Sequence, residues 1–331
     1  MTKNKQVVLA ARPKGAPQES DFRLVENELP DAKEGEVLVK NLFLSLDPYM
    51  RGRMNEGKSY AKPVELGDVM VGATVGHVMT SHDPKLAIGD TVVAYLGWQE
   101  YGIAKAETVM KVDPKLVPIS AYLGAVGMPG VTAWYGMLEI GKPKEGETVV
   151  VAAASGAVGG IVGQLAKIKG CRAVGIAGGK AKCEYVVKEL GFDLCLDHHD
   201  PALKEQFKEA TPKGVDIYFE NVGGPILDMV LTRLAPFARI PLCGLVSQYN
   251  ATEAYGVKSF GALLTNRALV QGFIVGEHMD RWPAALAELG KYVADGRIKY
   301  RESVAEGLAS APKAFIGMLA GKNFGKQLVK L

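Results

Sequence analysis

Two hydrophobic patterns follow one another along this chain and predict two kinds of domain. Up to about residue 122, short apolar runs such as EVLVKNLFLSL and DTVVAYLGW recur between turn signals rich in glycine, proline and aspartate. Several short strands at close spacing are typical of a barrel-like or sandwich module. From Thr148 onward, apolar runs alternate with helical stretches, and this alternation indicates βαβ units in a parallel, doubly wound sheet.

The end of the chain returns to the first pattern. Residues 300–331 again carry short strand-like pieces, which we expect to rejoin the first domain. The predicted domains are therefore residues 1–122 with 300–331 and residues 123–299, and the predicted fold class is α/β. A length of 331 residues agrees with two domains, because a domain has roughly 150 residues on average.

Composition and charge exclude several function classes. The chain is 48% apolar and 23% charged, as in ordinary globular proteins, which excludes disordered and collagen-like classes. Its net charge is +3 without any run of three basic residues, so we expect no nucleic-acid partner. All four cysteines lie in the second half without a CxxC pair, and the N-terminus lacks the apolar stretch of a secretory signal. These features favour a reduced, cytoplasmic protein.

One uncharged segment imitates a membrane span. Residues 148–166 approach the length of a transmembrane helix and contain the small-residue pair Gly156 and Gly160. The segment is mostly alanine and glycine, however, with few large apolar residues. A β-branched run that turns into a glycine loop and then a helix explains it better, so we expect no membrane partner.

The same segment contains a candidate dinucleotide-binding loop. Ala154-Ser-Gly-Ala-Val-Gly159 follows a predicted strand and opens a predicted helix, with alanine in place of the first glycine of the fingerprint. The second position lets backbone approach a pyrophosphate, the third lets helix pack closely on strand, and the helix N-terminus favours phosphate. Glycine-rich turns also serve as packing devices, but the strand, turn and helix context favours cofactor binding.

The residues after the next strand predict which cofactor binds. An NAD site normally places an acid about 20 residues after the loop to hold the ribose hydroxyls. This chain has Ala177-Gly-Gly-Lys-Ala-Lys182 there instead, and lysine is a natural partner for a phosphate dianion. We therefore predict NADPH rather than NADH. The alternative is that Lys180 and Lys182 are only the solvated start of a helix.

Six motifs, in order along the chain, resemble one known family. They are LSLDPYMRGR at 44–53, GMPGVTA at 127–133, AASGAVG at 153–159, YFENVGG at 218–224, CGLVSQYN at 243–250 and GKNFGK at 321–326. The chain resembles the zinc-independent medium-chain dehydrogenases/reductases, and within them the alkenal (one double-bond) reductases. That group includes prostaglandin reductases, plant alkenal reductases and bacterial curcumin reductases. The match covers nearly the whole chain.

The resemblance implies a GroES-like first domain and a Rossmann second domain, with the active site in the cleft between them, and a homodimer. It also implies NADPH-dependent reduction of the carbon–carbon double bond of α,β-unsaturated ketones or aldehydes. The family's NADPH contacts fall in this sequence on Gly156, Ala157, Val158, Gly159, Lys182, Asn221, Cys243, Gly244, Tyr249, Phe273, Ile274, Val275 and Asn323. Where prostaglandin reductases can carry a tyrosine near the cofactor, this chain has His198, which leaves that contact open.

The sequence predicts no metal. Zinc-dependent members of the superfamily take cysteine and histidine ligands from the first domain, but no cysteine precedes Cys171 here. Where those relatives place the first ligand cysteine, this chain runs Leu46-Asp47-Pro48. A catalytic zinc needs three protein ligands, so His77 is interpreted as structural.

Hydride addition to an enone pushes negative charge onto its carbonyl oxygen, so the site must supply a hydrogen-bond donor there. Tyr249 in the SQYN motif is the best candidate, and Tyr49 in DPYM is a second phenol. Each tyrosine also has a plain packing explanation, at the end of an apolar run and in the turn after Pro48. Two other functions stay open, a zinc-free NADPH quinone oxidoreductase and a non-catalytic NADPH-binding sensor.

Overall fold

The computed structural model describes residues 3–331, which form two compact units. The strand-rich unit runs up to Gly124 and resumes at Glu302–Leu331, and the parallel-sheet unit comprises Ala125–Arg301. One unit is built mainly from antiparallel strands, with one parallel pair at its edge, and the other from alternating strands and helices. The predicted α/β class is therefore confirmed.

The strand-rich unit contains two sheets. A two-stranded antiparallel sheet pairs β1 with β2, and a seven-stranded sheet has the order β14-β15-β3-β4-β5-β7, with β6 on β3. Its elements are β1 (Lys3–Leu9), β2 (Phe22–Glu28), β3 (Glu36–Leu46), α1 (Tyr49–Arg53), β4 (Thr74–Ser81), β5 (Thr91–Ala94), β6 (Tyr101–Lys105), β7 (Met110–Lys111) and, after the other unit, β14 (Glu302–Glu306), α9 (Ala311–Leu319) and β15 (Lys326–Lys330).

An aromatic cluster joins the tail to this unit. Phe22 stacks on Trp98 with ring centroids 5.5 Å apart, and Phe315 of α9 meets Trp98 edge-on at the same distance. Large aromatic side chains bury the most apolar area per residue and dominate a core in which they meet. The tail therefore returns to this unit by adding β15 beside β3 and an aromatic side chain to its core.

The parallel-sheet unit is a six-stranded sheet with the order β10-β9-β8-β11-β12-β13, in which every neighbouring pair is parallel. The order reverses direction between β8 and β11, where open α/β sheets bind ligands at the carboxyl ends of the strands. Its elements are α2 (Met128–Trp134), β8 (Thr148–Ala152), α3 (Gly159–Ile168), β9 (Arg172–Ala177), α4 (Lys180–Lys188), β10 (Leu194–Asp197), α5 (Leu203–Ala210), β11 (Val215–Phe219), α6 (Gly224–Leu231), β12 (Leu234–Leu242), α7 (Gly261–Thr265), β13 (Leu269–Gly272) and α8 (Trp282–Ala294).

The segment that imitates a membrane span is divided between β8 and α3, as the strand–turn–helix interpretation predicts. Among residues 3–331, none of the helices has the length and apolar character that crossing a bilayer requires. One boundary differs from the sequence pattern. The apolar run PILDMVLTRLA suggests a helix to Ala235, but α6 ends at Leu231 because Leu234 already pairs with Val215 of β11.

Candidate active site

The carboxyl edge of the parallel sheet carries most of the predicted cofactor residues. The loop 153–158 follows β8, Asn221 follows β11, and residues 243–249 follow β12. Phe273 and Ile274 follow β13, and Lys182 lies in the first turn of α4, after β9. In a doubly wound sheet these strand ends face one crevice, so the chain order of the motifs becomes a spatial cluster.

The glycine loop is shaped for close approach. A Cβ atom at Gly159 would lie 2.4 Å from the carbonyl oxygen of Ala153, and one at Gly156 would lie 3.1 Å from the same atom. Ala153 itself has a φ of 52°, a left-handed conformation that non-glycine residues seldom adopt. Residues 156–158 are partly exposed, whereas Gly159 is buried against the end of β8. The loop therefore presents backbone to a ligand and packs its helix tightly on the strand.

The two lysines after β9 differ in their surroundings. Lys180 is 90% exposed on its side chain and lies 4.0 Å from Glu184. Lys182 is half-buried, and burial lowers its pKa. A partly desolvated ammonium gains more from an anionic ligand than a fully solvated one does. This contrast makes Lys182 the better candidate for a phosphate.

Asp197, at the end of β10, is an acid that the sequence analysis did not single out. Its Oδ1 accepts hydrogen bonds from the backbone N–H groups of Gly179 (2.8 Å) and His199 (3.0 Å). The carboxylate therefore holds the loop around Lys180 in place. The next residue, His198, lies against Gly178, where a Cβ would come within 2.9 Å of the imidazole Nε2.

Asn221 joins the two central strands. Its Nδ2 donates to the carbonyl oxygen of Ala152 at 2.8 Å, which ties the turn after β11 to the end of β8. The preceding residue, Glu220, is completely buried and was missed from the sequence. Its Oε1 accepts the N–H groups of Val222 and Gly223, at 2.5 and 2.9 Å. An acid directly after a buried strand and before Asn-Val-Gly-Gly is the only sequence signal that could have pointed to it.

Tyr249 lies at the end of a short 3-10 helix, Val246–Gln248. Its hydroxyl oxygen accepts a hydrogen bond from the backbone N–H of Leu245 at 3.4 Å, and it lies 3.0 Å from where a Cβ of Gly244 would be. A phenol hydroxyl is both a hydrogen-bond donor and an acceptor. Tyr249 can therefore serve as a donor to a carbonyl oxygen.

Cys243 is the first residue of the segment 243–249 that follows β12, and its N–H donates to the carbonyl oxygen of Glu220 at 2.9 Å. Burial, with Glu220 nearby, raises the pKa of the Cys243 thiol to about 12. The thiolate is the nucleophilic form, so this cysteine is suited to packing rather than to covalent chemistry.

Apolar side chains pack around residues 273–275, at the carboxyl end of β13. The Phe273 ring lies 5.5 Å from the Tyr135 ring and 6.4 Å, edge-on, from the Phe219 ring. Val275, two residues on, is buried. The backbone of residues 273–275 is therefore held rigidly at the sheet edge.

Two predicted residues belong to the strand-rich unit. Tyr49 is the first residue of α1, and burial together with Asp47 and Tyr95 raises its pKa, so the phenol keeps its proton. Asn323 lies before β15, and its Nδ2 donates to the carbonyl oxygen of Gly325 at 2.9 Å.

His77 Nδ1 lies 3.3 Å from the hydroxyl of Thr91. Within residues 3–331, no group of three or more His, Cys, Asp or Glu side chains is arranged to hold a metal ion.

The family models identify the chain as an oxidoreductase. Residues 5–112 match the family model of the N-terminal domain of oxidoreductase, and residues 157–291 match the model described as zinc-binding dehydrogenase.

Comparison with known proteins identifies the kind of oxidoreductase more closely. The chain is 49% identical to NADPH-dependent curcumin reductase of Escherichia coli, over 99% of this chain and 97% of that protein. It is 43% identical to the NADP(+)-dependent 2-alkenal reductase of Nicotiana tabacum, over 98% and 97%. The crystal structure of CurA from Vibrio vulnificus in complex with NADPH superposes with a TM-score of 0.94 at 49% identity, covering 98% of each chain. The chain belongs to the alkenal and curcumin reductase group of the medium-chain dehydrogenases/reductases.

Proposed function

We propose that this protein reduces the carbon–carbon double bond of α,β-unsaturated ketones and aldehydes with NADPH. One arrangement carries the proposal. Asn221 is hydrogen-bonded to the end of β8, directly before the glycine loop, and its own carbonyl oxygen accepts the N–H of Val246 in the short helix that directly precedes Tyr249. The candidate phosphate-binding loop and the segment that carries the candidate proton donor, Tyr249, are therefore both hydrogen-bonded to the turn that contains Asn221.

The residues at the sheet edge fit NADPH. Residues 156–158 of the glycine loop are partly exposed, and the absence of side chains at Gly156 and Gly159 lets the loop pack closely on β8, so its backbone can approach a pyrophosphate. The half-buried ammonium of Lys182 suits the 2′-phosphate, whereas Asp197 directs an oxygen at backbone N–H groups. NADPH supplies the hydride that adds to the β-carbon of the enone and leaves as NADP+.

Tyr249 acts in the second half of the proposed reaction, in which the negative charge on the substrate is stabilised and then protonated. As the hydride adds to the β-carbon, the electron pair of the double bond moves toward the carbonyl oxygen, where the Tyr249 hydroxyl donates a hydrogen bond. Tyr249 relays its hydroxyl proton to the α-carbon and regains a proton from solvent, which completes the saturated carbonyl product. The N–H of Leu245, which donates to the Tyr249 oxygen, stabilises negative charge that develops on it. Tyr49 is proposed as a neutral phenol of the substrate pocket.

The experiment that tests this function is NADPH oxidation with product identification, using curcumin, a short alkenal, a quinone and an alcohol with NADP+. We expect saturated carbonyl products from curcumin and the alkenal. Turnover with the quinone alone would replace the proposal by a quinone oxidoreductase. Tight NADPH binding without turnover on any substrate would indicate a sensor.

We also propose a homodimer in which β13 pairs with the same strand of a second copy. β13 is an edge strand of the six-stranded sheet, and its Leu269 and Val270 are 53% and 41% exposed. An exposed apolar edge strand is a template for pairing with another chain. We expect Val270→Lys to give a monomer in sedimentation experiments and Ile88→Lys, an exposed position in the other unit, to leave a dimer. A monomeric wild type would overturn this assembly.

We place the enzyme in the cytoplasm and propose that it works without zinc. Support for the location comes from the four cysteines, all of which are free thiols. Metal analysis of purified protein tests zinc independence: a stoichiometric zinc whose removal abolishes turnover would contradict it.

A further inference from the structure

We propose that Glu220 is a positioning residue for Tyr249, acting through the turn that it holds. The proposal rests on the function proposed above, in which Tyr249 donates to the substrate. Glu220 does not itself need to touch substrate or cofactor in this role.

The first observation is that Glu220 is buried without a cationic partner. Its side chain has no exposed surface, and no basic side chain interacts with it. Its neighbour is the hydroxyl of Tyr218, which shares its face of the sheet and is equally buried. Burying a carboxyl group without a cationic partner is unfavourable, and burial raises the pKa of Glu220. A side chain that destabilises the fold in this way is expected to serve another purpose.

The second observation is where the other carboxyl oxygen points. Oε1 accepts both the Val222 and Gly223 N–H groups, so it fixes the direction of two successive peptide units. Gly223 has a φ of 75°, a left-handed conformation suited to glycine. The turn after β11 is therefore shaped around the Glu220 carboxyl.

The third observation is that this turn holds the segment that carries Tyr249. The N–H of Val246 donates to Asn221 O at 3.1 Å, and the N–H of Ser247 donates to Val222 O at 3.0 Å. The Ser247 hydroxyl donates to the same Val222 oxygen at 2.6 Å. Each carbonyl belongs to a peptide unit at, or next to, those fixed by Glu220. A movement of the turn would therefore carry the Val246–Gln248 helix and the Tyr249 hydroxyl with it.

A double-mutant cycle distinguishes positioning from a purely structural role. Glu220→Met should lower kcat for curcumin reduction by about tenfold or more, because misplacing a reacting group by about 1 Å is costly to rate. In the Tyr249→Phe background, Glu220→Met should lower kcat by less than about twofold, since residues that act as a unit are non-additive. Glu220→Gln keeps an acceptor oxygen and should recover most of the rate.

Two further variants distinguish a loss of positioning from a general loss of folding. Ser247→Ala removes one exposed contact to the turn and should show a smaller loss of kcat with the same dependence on Tyr249. Asp193→Asn is the control, because Asp193 also accepts a backbone N–H, from Ala173, but pairs with Lys167 and lies directly before the edge strand β10. Its effect on kcat should be the same in both backgrounds.

Amide hydrogen exchange of the protein without cofactor gives a readout besides activity. Glu220→Met should accelerate exchange in peptides that cover residues 243–250, and Asp193→Asn should not. Suppose that Tyr249→Phe lowers kcat but that Glu220→Met lowers kcat by the same factor in the wild-type and Tyr249→Phe backgrounds. That result would overturn the positioning role and leave the proposed function standing. A Tyr249→Phe enzyme with unchanged kcat would overturn both. Unchanged exchange at 243–250 would also overturn the positioning role.

Discussion

The Nζ atom of Lys326 lies 2.6 Å from Oδ1 of Asp47, and neither side chain is more than 7% exposed. The same ammonium donates to the carbonyl oxygen of Leu46 at 2.7 Å, and the hydroxyl of Ser45 donates to the other Asp47 oxygen. This buried network joins the first residue of β15 to the end of β3. It fixes the turn from which Tyr49 projects at the start of α1.

Lys326→Met tests what this ion pair does for stability. The variant leaves the Asp47 carboxylate buried without its cation, and we expect a loss of about 3–5 kcal/mol in the free energy of unfolding. Urea unfolding followed by circular dichroism measures it. The double variant Asp47→Asn with Lys326→Met should lose less than the sum of the two single losses. Full additivity would show that the two side chains do not interact.

The pair of Glu147 and Arg239 predicts a dependence of stability on pH. Burial opposes ionisation of Glu147, but hydrogen bonds from Arg239 (2.5 Å) and from the Lys144 N–H (2.9 Å) outweigh it and lower its pKa from the ordinary value of 4.5. A lowered carboxyl pKa contributes stability that is present above 4.5 and is lost as pH falls through the folded-state pKa.

Glu147→Gln should therefore be less stable than wild type by about 1–3 kcal/mol near neutral pH. The gap should shrink as pH falls below the ordinary Glu pKa, because the wild-type carboxyl then loses its charge. Urea unfolding at a series of pH values measures the gap. A gap that stays constant across the series would contradict the assignment.

Gly159→Ala tests the close packing of the cofactor loop. The new methyl group would lie 2.4 Å from Ala153 O, so α3 must move away from β8. We expect a loss of about 1–3 kcal/mol in stability and weaker NADPH binding, measured by calorimetry. Gly156→Ala, at 3.1 Å, should have a smaller effect, and Gly256→Ala, with no atom within 4 Å, should have none. Any other ranking would exclude steric crowding as the cause.

Lys182→Ala tests cofactor choice. Under the proposed phosphate contact, removing the ammonium should weaken NADPH binding by about 1.5–3 kcal/mol, while NADH binding stays the same. Lys180→Ala is the control, because Lys180 is nearly fully exposed. Equal effects of the two substitutions would indicate a general charge effect rather than a phosphate contact.

Tyr249→Phe tests the donor. We expect kcat for enone reduction to fall by about 100-fold or more, because a hydrogen bond to the developing charge is lost, and NADPH affinity to change little. Stopped-flow measurement of NADPH oxidation at saturating cofactor separates the two quantities. Tyr49→Phe is the comparison, and a larger loss of kcat there would reverse the assignment of the two phenols.

Much of the fold follows from local patterns in the sequence. The strand, glycine loop and helix at residues 148–168 are predicted by a β-branched run, a glycine pair and a small-residue helix, and those signals depend only on neighbours along the chain. The alternation after Thr148 predicts a parallel sheet for the same reason. The end of α6 was misjudged, because the pairing of Leu234 with β11 outweighed helix propensity.

The sequence by itself determined the class of fold, the position of the glycine loop between β8 and α3, and the family motifs. The tertiary structure alone decided the roles of the isolated acids. Asp197, Glu220 and Asp47 are the same kinds of residue in the sequence, yet one caps a loop, one shapes a turn and one pairs with a buried lysine. A carboxylate takes its role from the donors that surround it, and the Asp47–Lys326 pair joins residues 279 positions apart. Such partners are brought together only when the sheets form.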